Sequence, residues 1–409
     1  MDLHSGTPFW PRRDGILATH PPLDRDISCD VAVVGGGITG SLVALELARR
    51  GLEVVVVERR DTGGGSTSAS TSMLQYEIDE LLVDLIDVMG REDAELAYQE
   101  CGRGIDLVEA ATQRVGHNCG FRRSPSVFMA PRPSDVDTLR REFEARQQAG
   151  FEVRWHDRDS LAERWGLVGD AAIESAAGAS VDPYQLGAFA LARVLALGGR
   201  VFDRTEVVAY EHRPRRSVLT TNRDATITCK HTVIATGYEV ATLLPELPLA
   251  IHSSFALVSE PILDLDARYP DGLLFWDHDD PYLYGRTTDD LRLLIGGRDE
   301  TYRDPKRRER AMPSKTRALA RSVPKRFPAI GEIEVAFDWA GTFAETPDGL
   351  AYIGGHSQHP RTHFALGFGG NGITYSALAA DYISHAVEHG DYPDAARLFA
   401  LERPVVRPS

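Results

Sequence analysis

A glycine-rich turn between an apolar strand and a helical segment constrains this chain more than any other feature. Gly35, Gly37 and Gly40 form the pattern Gly-x-Gly-x-x-Gly, after the apolar run 29–34 and before residues 41–50, whose apolar positions recur at helical spacing. The first glycine allows a tight turn, the second lets the backbone approach a diphosphate, and the third lets helix and strand pack closely. The pattern predicts a dinucleotide-binding βαβ unit. The residues expected at the diphosphate are Gly35, Gly37, Ile38, Thr39 and Gly40.

The end of the second predicted strand narrows the choice of dinucleotide. Glu58 follows Gly35 by 23 residues, close to the spacing expected for an acid that bonds the ribose hydroxyls. A carboxylate there repels a 2′-phosphate, so the sequence disfavours NADP and leaves NAD and FAD open. The chain also has 60 Asp and Glu against 45 Lys and Arg, a net charge of -15. Such a charge disfavours nucleic acids and anionic membrane surfaces as partners.

Three further segments favour FAD over NAD. Residues 66–72 are rich in hydroxyl groups that can grip a diphosphate, the apolar strand at 233–237 ends in Ala-Thr-Gly, and a second strand-to-helix glycine loop lies at 363–373. A flavin ring that becomes anionic on reduction is stabilised by a helix N-terminus, whereas NAD needs no second glycine loop. The further cofactor-binding residues predicted here are Glu58, Arg59, Ser66, Thr67, Ser68, Ser70, Thr71, Met73, Ala235, Thr236, Gly237, Gly367, Gly369, Gly370, Asn371, Gly372 and Ile373.

The order of these motifs along the whole chain, with Thr-Pro-Asp-Gly at 346–349, resembles the FAD-dependent superfamily of D-amino-acid oxidase, glycine oxidase and sarcosine oxidase. The resemblance implies an α/β fold: a Rossmann-type, glutathione-reductase-like, doubly wound FAD domain with a second α+β domain on a mostly antiparallel sheet. It places the adenosine on Glu58, Val207 against the adenine, and residues 369–373 beside the flavin pyrimidine edge. It also implies oxidation of a C–N bond in a small amine or amino acid, by hydride transfer to flavin N5 and hydrolysis of the imine.

Changes of pattern along the chain predict two interleaved domains. The segments expected in the FAD-binding domain are 1–75, 181–240 and 336–409, and those expected in the substrate domain are 76–180 and 241–335. Acidic helices are predicted at 77–90 and 92–115. Alternating apolar residues between 254 and 296 predict antiparallel strands with one face toward a cavity.

The sequence is less explicit about the substrate. In amino-acid-oxidising relatives of the resembled superfamily, an arginine shortly before the Thr-Pro-Asp-Gly segment grips the substrate carboxylate, but Phe343 stands there in this chain. This departure resembles the branch of amine and γ-glutamylputrescine oxidoreductases. Tyr282 and Tyr284 share a strand face, and Arg286 and Arg298 lie in the same predicted sheet, with His252 beside a further strand. We expect Tyr282, Tyr284, Arg286 and His252 at the substrate, with a purely structural role as the alternative for each.

The sequence also allows predictions of how FAD is attached, where the protein is located and which other functions are open. No cysteine follows Cys229 and the hydroxyl-rich loop lacks histidine, so the covalent attachments of the sarcosine and dimethylglycine branches are not expected and FAD is predicted to be non-covalent. The four cysteines lack metal-binding spacing, and no leader or span is evident, so we expect no metal and a cytoplasmic protein. Oxygen or another electron acceptor remains open. An FAD dehydrogenase of a hydroxy acid or polyol phosphate and a non-catalytic dinucleotide-binding protein are the rival functions.

Overall fold

Two large β-sheets organise the protein, whose computed structural model describes residues 3–213, 215–277, 279, 282–302 and 304–404. Within these residues, an eight-stranded mixed sheet carries the predicted glycine turns and a nine-stranded, mostly antiparallel sheet lies beside the same cavity. The strands of the eight-stranded sheet are Arg200–Phe202, Val54–Val57, Ile27–Val34, Thr226–Ile234, Arg216–Thr221 and Val207–Arg213 in hydrogen-bonding order, with His359–Leu366 on Thr226–Ile234 and Tyr352–His356 on His359–Leu366. This arrangement confirms the predicted α/β fold class.

The strand Thr226–Ile234 lies at the centre of the eight-stranded sheet. It pairs in parallel with Ile27–Val34 along its length. On its other edge, residues 226–229 pair with Arg216–Thr221 and residues 232–234 pair with His359–Leu366. It is one continuous strand that changes its partner on that edge. The flanking strand Ile27–Val34 is buried on both faces: Val31 and Val33 contact one apolar cluster and Ala32 and Val34 another, as expected for a central parallel strand.

The second sheet contributes the wall that faces the glycine turns. In hydrogen-bonding order its strands are His4–Gly6, Val335–Glu345, Ala250–Ser259, Leu293–Glu300, Leu283–Thr287, Leu274–Asp277, Ser126–Ala130, Ala171–Ser175 and Val153–Asp157. A small third sheet contains Met73–Leu74, Ala179–Ser180 and Arg122–Arg123. The predicted domain boundary at 336 needs correction, because the strand Val335–Glu345 and the N-terminal strand His4–Gly6 are both hydrogen-bonded into this second sheet.

Helices cover the sheets and connect their strands. The α-helices are Phe9–Asp14, Ile38–Arg49, Ser66–Ala69, Leu82–Met89, Arg91–Val115, Val136–Gln148, Arg158–Trp165, Pro183–Ala196, Leu265–Arg268, Pro305–Ala320, Val323–Arg326 and Gly372–His389, and the 3-10 helices are Pro133–Asp135, Gly237–Thr242 and Asp394–Phe399. Ile38–Arg49 packs against both Pro183–Ala196 and Gly372–His389. In the part of the chain that the structure describes, no helix is sufficiently long and apolar to cross a bilayer.

The segment that follows the hydroxyl-rich loop differs from its predicted helix. We expected a helix over 77–90, but it runs only from Leu82 to Met89, and residues 75–81 cross the end of the cavity without helical structure. Glu142, on the helix Val136–Gln148, explains the start of the helix: its carboxylate accepts the N–H groups of Leu82 and Val83 at 3.1 Å each. A carboxylate at this position satisfies amides that a helix N-terminus leaves free.

A fully buried arginine holds this segment in place. Arg146 donates to Glu142 at 2.7 Å and to Glu77 at 3.0 Å, and all three side chains are at least 96 % buried. Removing one partner from a buried charge network leaves the other charges without compensation, at a cost of about 3–5 kcal/mol.

We therefore expect Arg146→Met to lower the free energy of unfolding by about 3–5 kcal/mol. Arg141→Met is the matched control, because Arg141 lies on the same helix and is exposed. Urea titration followed by circular dichroism measures both variants. Equal unfolding midpoints for the two variants would contradict the structural role of Arg146.

Candidate cofactor and substrate site

A continuous cavity of about 940 Å³ is lined by residues of both large sheets. It contains all but two of the predicted cofactor-binding residues along its wall, and the exceptions are Gly40 and Ser68. Ser68 is buried and donates its hydroxyl to the Gly65 carbonyl at 2.8 Å, so it shapes the loop and does not face the cavity. Gly40 has the packing role that the sequence analysis gave it, because an added Cβ would lie 1.8 Å from the Gly35 carbonyl oxygen.

The first glycine turn opens a helix N-terminus onto the cavity. Gly35 has a φ of +113°, and an added Cβ would lie 2.3 Å from the Ala235 carbonyl oxygen, so only glycine fits there. At Gly37 an added Cβ would lie 3.1 Å from the Thr67 hydroxyl. The helix that begins at Ile38 has no side-chain cap on Gly37, while the Ile38 amide donates to Thr67 Oγ1 at 2.9 Å. The turn therefore forms a concave anion site of backbone N–H and hydroxyl groups.

The opposite end of this wall carries paired charges. Glu58 accepts the backbone N–H groups of Gly36 and Arg60 at 2.8 Å each, which fixes its carboxylate at the cavity edge. Arg59 forms an ion pair with Glu239, and Arg60 lies 3.3 Å from the same carboxylate. Both arginines and Val207 line the cavity at this end. The predicted adenosine-binding residues are thus close together. Arg59 and Arg60, beside them, are the only arginines or lysines among the described lining residues.

The C-terminal glycine loop forms the far end of the cavity. The helix Gly372–His389 begins there without a side-chain cap. Asn371 lines the cavity, but its amide donates to the carbonyl oxygens of Gln75 and Glu77 at 3.0 and 2.8 Å and so ties the loop to residues 75–81. The same segment brings in Asp79, whose Oδ2 accepts the Gly370 N–H at 2.9 Å. Asp79 was not predicted from the sequence, because it lay inside an expected helix.

An aromatic wall from the nine-stranded sheet closes this end. Tyr282 and Tyr284 line the cavity with their rings stacked at 5.6 Å, and Trp276 stacks on Phe128 behind it at 3.7 Å. The Tyr282 hydroxyl donates to Asp299 at 2.6 Å, while the Tyr284 hydroxyl lies 3.3 Å from Ser254 Oγ. Burial raises the pKa of both tyrosines above the ordinary value, so both hydroxyls stay protonated near neutral pH.

The strand Val335–Glu345 adds an apolar and an acidic side chain to the same end. Residues 341, 343 and 345 are half-buried and line the cavity, and they alternate with buried residues 342 and 344. Phe343 and Glu345 therefore share one strand face. Glu345 lies 3.2 Å from His252 Nε2. This two-residue period before Thr-Pro-Asp-Gly was a sequence signal that could have identified Glu345.

Two of the four predicted substrate contacts are not among the lining residues, which corrects our expectation. Arg286 is buried, donates to the Thr71 carbonyl at 2.9 Å and the Thr287 carbonyl at 3.2 Å, and lies over the Trp10 ring. These contacts favour the structural alternative for Arg286. His252 is the cross-strand partner of Phe343, with the two rings stacked at 5.4 Å, and its Nε2 lies 3.2 Å from Glu345, but it is not among the lining residues. Arg298 also lies outside the cavity lining.

Carboxyl groups dominate the electrostatics of the aromatic end. The pKa of Asp79 is raised to about 6, first by burial and then by Asp299, against the opposing Gly370 N–H. The pKa of Glu345 is raised to about 7 by burial and by the charges of Asp79, Asp299 and Glu80. Burial is also the first cause of a raised pKa at Glu80, of about 7, and at Asp299. Asp79 lines the cavity, and its side chain is exposed to that internal space.

The geometry fits FAD. At Gly37 the backbone opens onto the cavity without a Cβ that would take up room there, and Ser66, Thr67, Ser70 and Thr71 line the same wall. A second uncapped helix N-terminus lies at the other end of the cavity, beside an aromatic wall suited to a flat ring. Among the described lining residues there is no cysteine or histidine.

Comparison with known proteins identifies relatives over nearly the whole chain. The family model described as FAD dependent oxidoreductase matches residues 30–386. Glycine oxidase from Geobacillus kaustophilus is 27 % identical over 388 residues, covering 91 % of this chain and 97 % of the relative. Gamma-glutamylputrescine oxidoreductase from Escherichia coli is 27 % identical over 375 residues, covering 88 % of this chain and 84 % of the relative.

Solved structures show the same fold. The crystal structure of the Geobacillus kaustophilus glycine oxidase superposes with a TM-score of 0.77 at 23 % identity, covering 93 % of this chain and all of that one. The L-proline dehydrogenase of P. horikoshii superposes with a TM-score of 0.75 at 21 % identity, covering 93 % of this chain and 98 % of that one. The superpositions confirm the predicted fold, and the family match with the sequence relatives confirms the predicted superfamily and its FAD cofactor.

The position of Gly37 generates a test of the diphosphate site. We expect Gly37→Ala to weaken FAD binding about tenfold or more, because its methyl group crowds Thr67 and the diphosphate. Equilibrium dialysis, with flavin absorbance near ~450 nm as the readout, measures the affinity. Gly102→Ala is the matched control, because a Cβ there meets no atom closer than 3.9 Å. An unchanged affinity in Gly37→Ala would contradict our placement of the diphosphate.

Proposed function

Because the chain belongs to the family of FAD-dependent oxidoreductases, we propose that it oxidises the C–N bond of a small amine to an imine that water then hydrolyses. The family and the relatives support an FAD-dependent oxidoreductase that acts on amines or amino acids. FAD supplies the acceptor for the hydride equivalent that leaves the substrate α-carbon, at N5 of its ring. The observation that carries the proposal is that both glycine turns and an aromatic wall line the same cavity.

The chain's own residues divide into two groups along this cavity. We assign Glu58 and Val207 to the adenosine, Gly37 and Thr67 to the diphosphate, and residues 369–373 to the ring. The absence of cysteine and histidine from the described lining residues supports non-covalent binding. The eight-stranded sheet with its helices is the proposed FAD-binding unit, and the nine-stranded sheet is the proposed substrate-binding unit.

Orientation of the substrate is the main task of the protein in this reaction. A neutral amine needs no nucleophile to lose a hydride equivalent, so the enzyme gains most from holding the α-carbon in place and excluding water. Tyr282 and Tyr284, held by Asp299 and Ser254, present fixed rings and protonated hydroxyls to the cavity. We propose that these two tyrosines, with Trp276 and Phe343, position the substrate. The printed names of the relatives support amine or amino-acid substrates for this family.

Oxidation of a polyol phosphate is disfavoured by the charges of the site. Such a substrate requires cationic side chains near the ring. Among the described lining residues, the arginines are Arg59 and Arg60, which lie beside Glu58 at the opposite end. The aromatic end instead carries Asp79 and Glu345.

Anaerobic reduction of the bound flavin tests the proposed function. We expect amines to bleach the flavin absorbance near ~450 nm, and hydroxy acids and glycerol phosphate to leave it unchanged. Stopped-flow absorbance measures the reduction rate for each compound, and repetition in air distinguishes oxygen from another acceptor. Reduction by hydroxy acids alone would overturn the proposal. As a control for the positioning role, Tyr284→Phe should keep bound FAD while the rate of reduction falls.

A further inference from the structure

The charges at the aromatic end of the cavity specify more about the substrate than the family does. Five residues that line this end carry carboxyl groups: Glu77, Asp79, Asp277, Asp279 and Glu345, with Asp299 behind Tyr282. Arg146 pairs with Glu77, and Arg326 pairs with Asp277 and Asp279, from outside the lining, whereas Asp79 and Glu345 have no arginine or lysine partner among the described residues. A substrate carboxylate entering this region would meet like charges in a partly desolvated site, which is strongly unfavourable.

A second observation points to a bound cation independently of the carboxyl count. Glu77 is 96 % buried and lies in the cavity wall; Arg146 and Ser126 engage its Oε1, but Oε2 has no hydrogen-bond partner among the described residues. An unpaired buried carboxylate oxygen in the wall costs free energy, and a positive charge in the neighbouring cavity would lower that cost through space.

The aromatic side chains favour the same kind of ligand. Tyr282, Tyr284, Trp276 and Phe343 surround the acidic end, and the electron-rich faces of such rings attract ammonium groups. Gly296 helps to set this geometry, because an added Cβ would lie 2.3 Å from Tyr284 Cζ. The tyrosine ring can therefore lie flat across the neighbouring strand.

We propose, on the basis of the proposed function, that the substrate is an amine that carries a second ammonium group and no α-carboxylate, bound by Glu345 and Asp79 within this aromatic enclosure. The carbon that bears the neutral amino group would lose a hydride equivalent to the flavin, which leaves an iminium ion that water hydrolyses to an aldehyde and ammonia. The distal ammonium stays charged throughout and anchors the molecule. Phe343 occupies the strand face that Glu345 shares, so the two residues together select against a carboxylate and for a cation.

Three probes of equal length isolate this selection. 1,4-Diaminobutane, 1-aminopentane and 5-aminopentanoate differ only in their distal group, which is an ammonium, a methyl or a carboxylate. We expect kcat/KM for anaerobic flavin reduction to be about tenfold or more higher for the diamine than for 1-aminopentane, and lowest for 5-aminopentanoate. Glycine and alanine should reduce the flavin poorly.

A charge-neutral variant tests the assigned carboxylate. Glu345→Gln should raise KM for the diamine about tenfold and leave KM for 1-aminopentane nearly unchanged, since only the diamine loses a charged contact. Glu163→Gln is the matched control, because Glu163 is exposed on the helix Arg158–Trp165. A parallel rise in KM for both amines would indicate a merely structural role for Glu345 and would overturn the assignment.

The pH dependence of the wild-type enzyme gives a second, mutation-free test. Both assigned carboxyls have raised pKa values, about 6 for Asp79 and about 7 for Glu345, so each is neutral below its pKa and anionic above it. The charges of Asp299 and Glu80 raise the pKa of Glu345, and His252 lies 3.2 Å from the Glu345 carboxyl. Lys315 and the Tyr282 hydroxyl oppose the raised pKa of Asp299. The ratio of kcat/KM for diamine to that for 1-aminopentane should therefore rise from about pH 5.5 to about pH 8, while the shared deprotonation of the reacting amine cancels.

The outcomes separate failure of this inference from failure of the proposed function. Flavin reduction by α-amino acids but not by diamines would overturn the inference and leave amine oxidation intact. Equal kcat/KM for the diamine and 1-aminopentane, with a flat ratio across pH, would also overturn it. Reduction by hydroxy acids alone would overturn the proposed function itself.

Discussion

The packing of two helices against each other determines where the chemistry of this protein can occur. Ile38–Arg49 and Gly372–His389 are adjacent, and the hydroxyls of Thr39 and Ser376 hydrogen-bond at 2.7 Å close to both N-termini. Each helix begins at a glycine turn without a side-chain cap. Since helix N-termini attract anionic groups, this packing directs two such ends into the same cavity although their turns are separated by more than three hundred residues. The sheets on either side then define the shape of what can bind between them.

The local part of this arrangement was predictable from the sequence. The first glycine turn follows a buried strand and precedes a helix whose apolar residues recur at helical spacing, so local spacing alone identifies Gly35 and Gly37. Helix boundaries were predicted wrongly where tertiary contacts override the local pattern. The sequence pattern predicted a helix from residue 77, but Glu142 accepts the Leu82 N–H and the helix begins at Leu82. The contacts of Arg286 were hidden for a similar reason, because a sequence cannot show that the Thr71 and Thr287 carbonyls accept hydrogen bonds from its guanidinium. Propensity is a weak prior wherever such long-range partners exist.

Charge separation along the cavity is the property that the sequence concealed most completely. The overall charge of -15 indicates an acidic protein but not where its carboxyl groups converge. Folding brings Asp79, from the segment after the hydroxyl-rich loop, near Glu345, from a strand of the nine-stranded sheet, and the Asp79 charge raises the pKa of Glu345. Meanwhile Arg59 and Arg60 are held by Glu239 at the far end. The cavity is therefore polarised along its length, so a ligand's charge distribution decides its orientation as well as its affinity.

The acidic end is maintained by contacts that lie behind its wall. The side-chain amide of Asn371 donates hydrogen bonds to the carbonyl oxygens of residues 75 and 77, so the C-terminal glycine loop and the segment bearing Asp79 are joined directly. Glu77 continues this connection inward to Arg146, which is itself held by Glu142. A set of like charges can persist in a partly buried site only where surrounding bonds keep the backbone from relaxing away. The acidic wall of the cavity thus depends on an arginine that does not line it, so the proposed substrate selection and the stability of this segment rest on the same buried network.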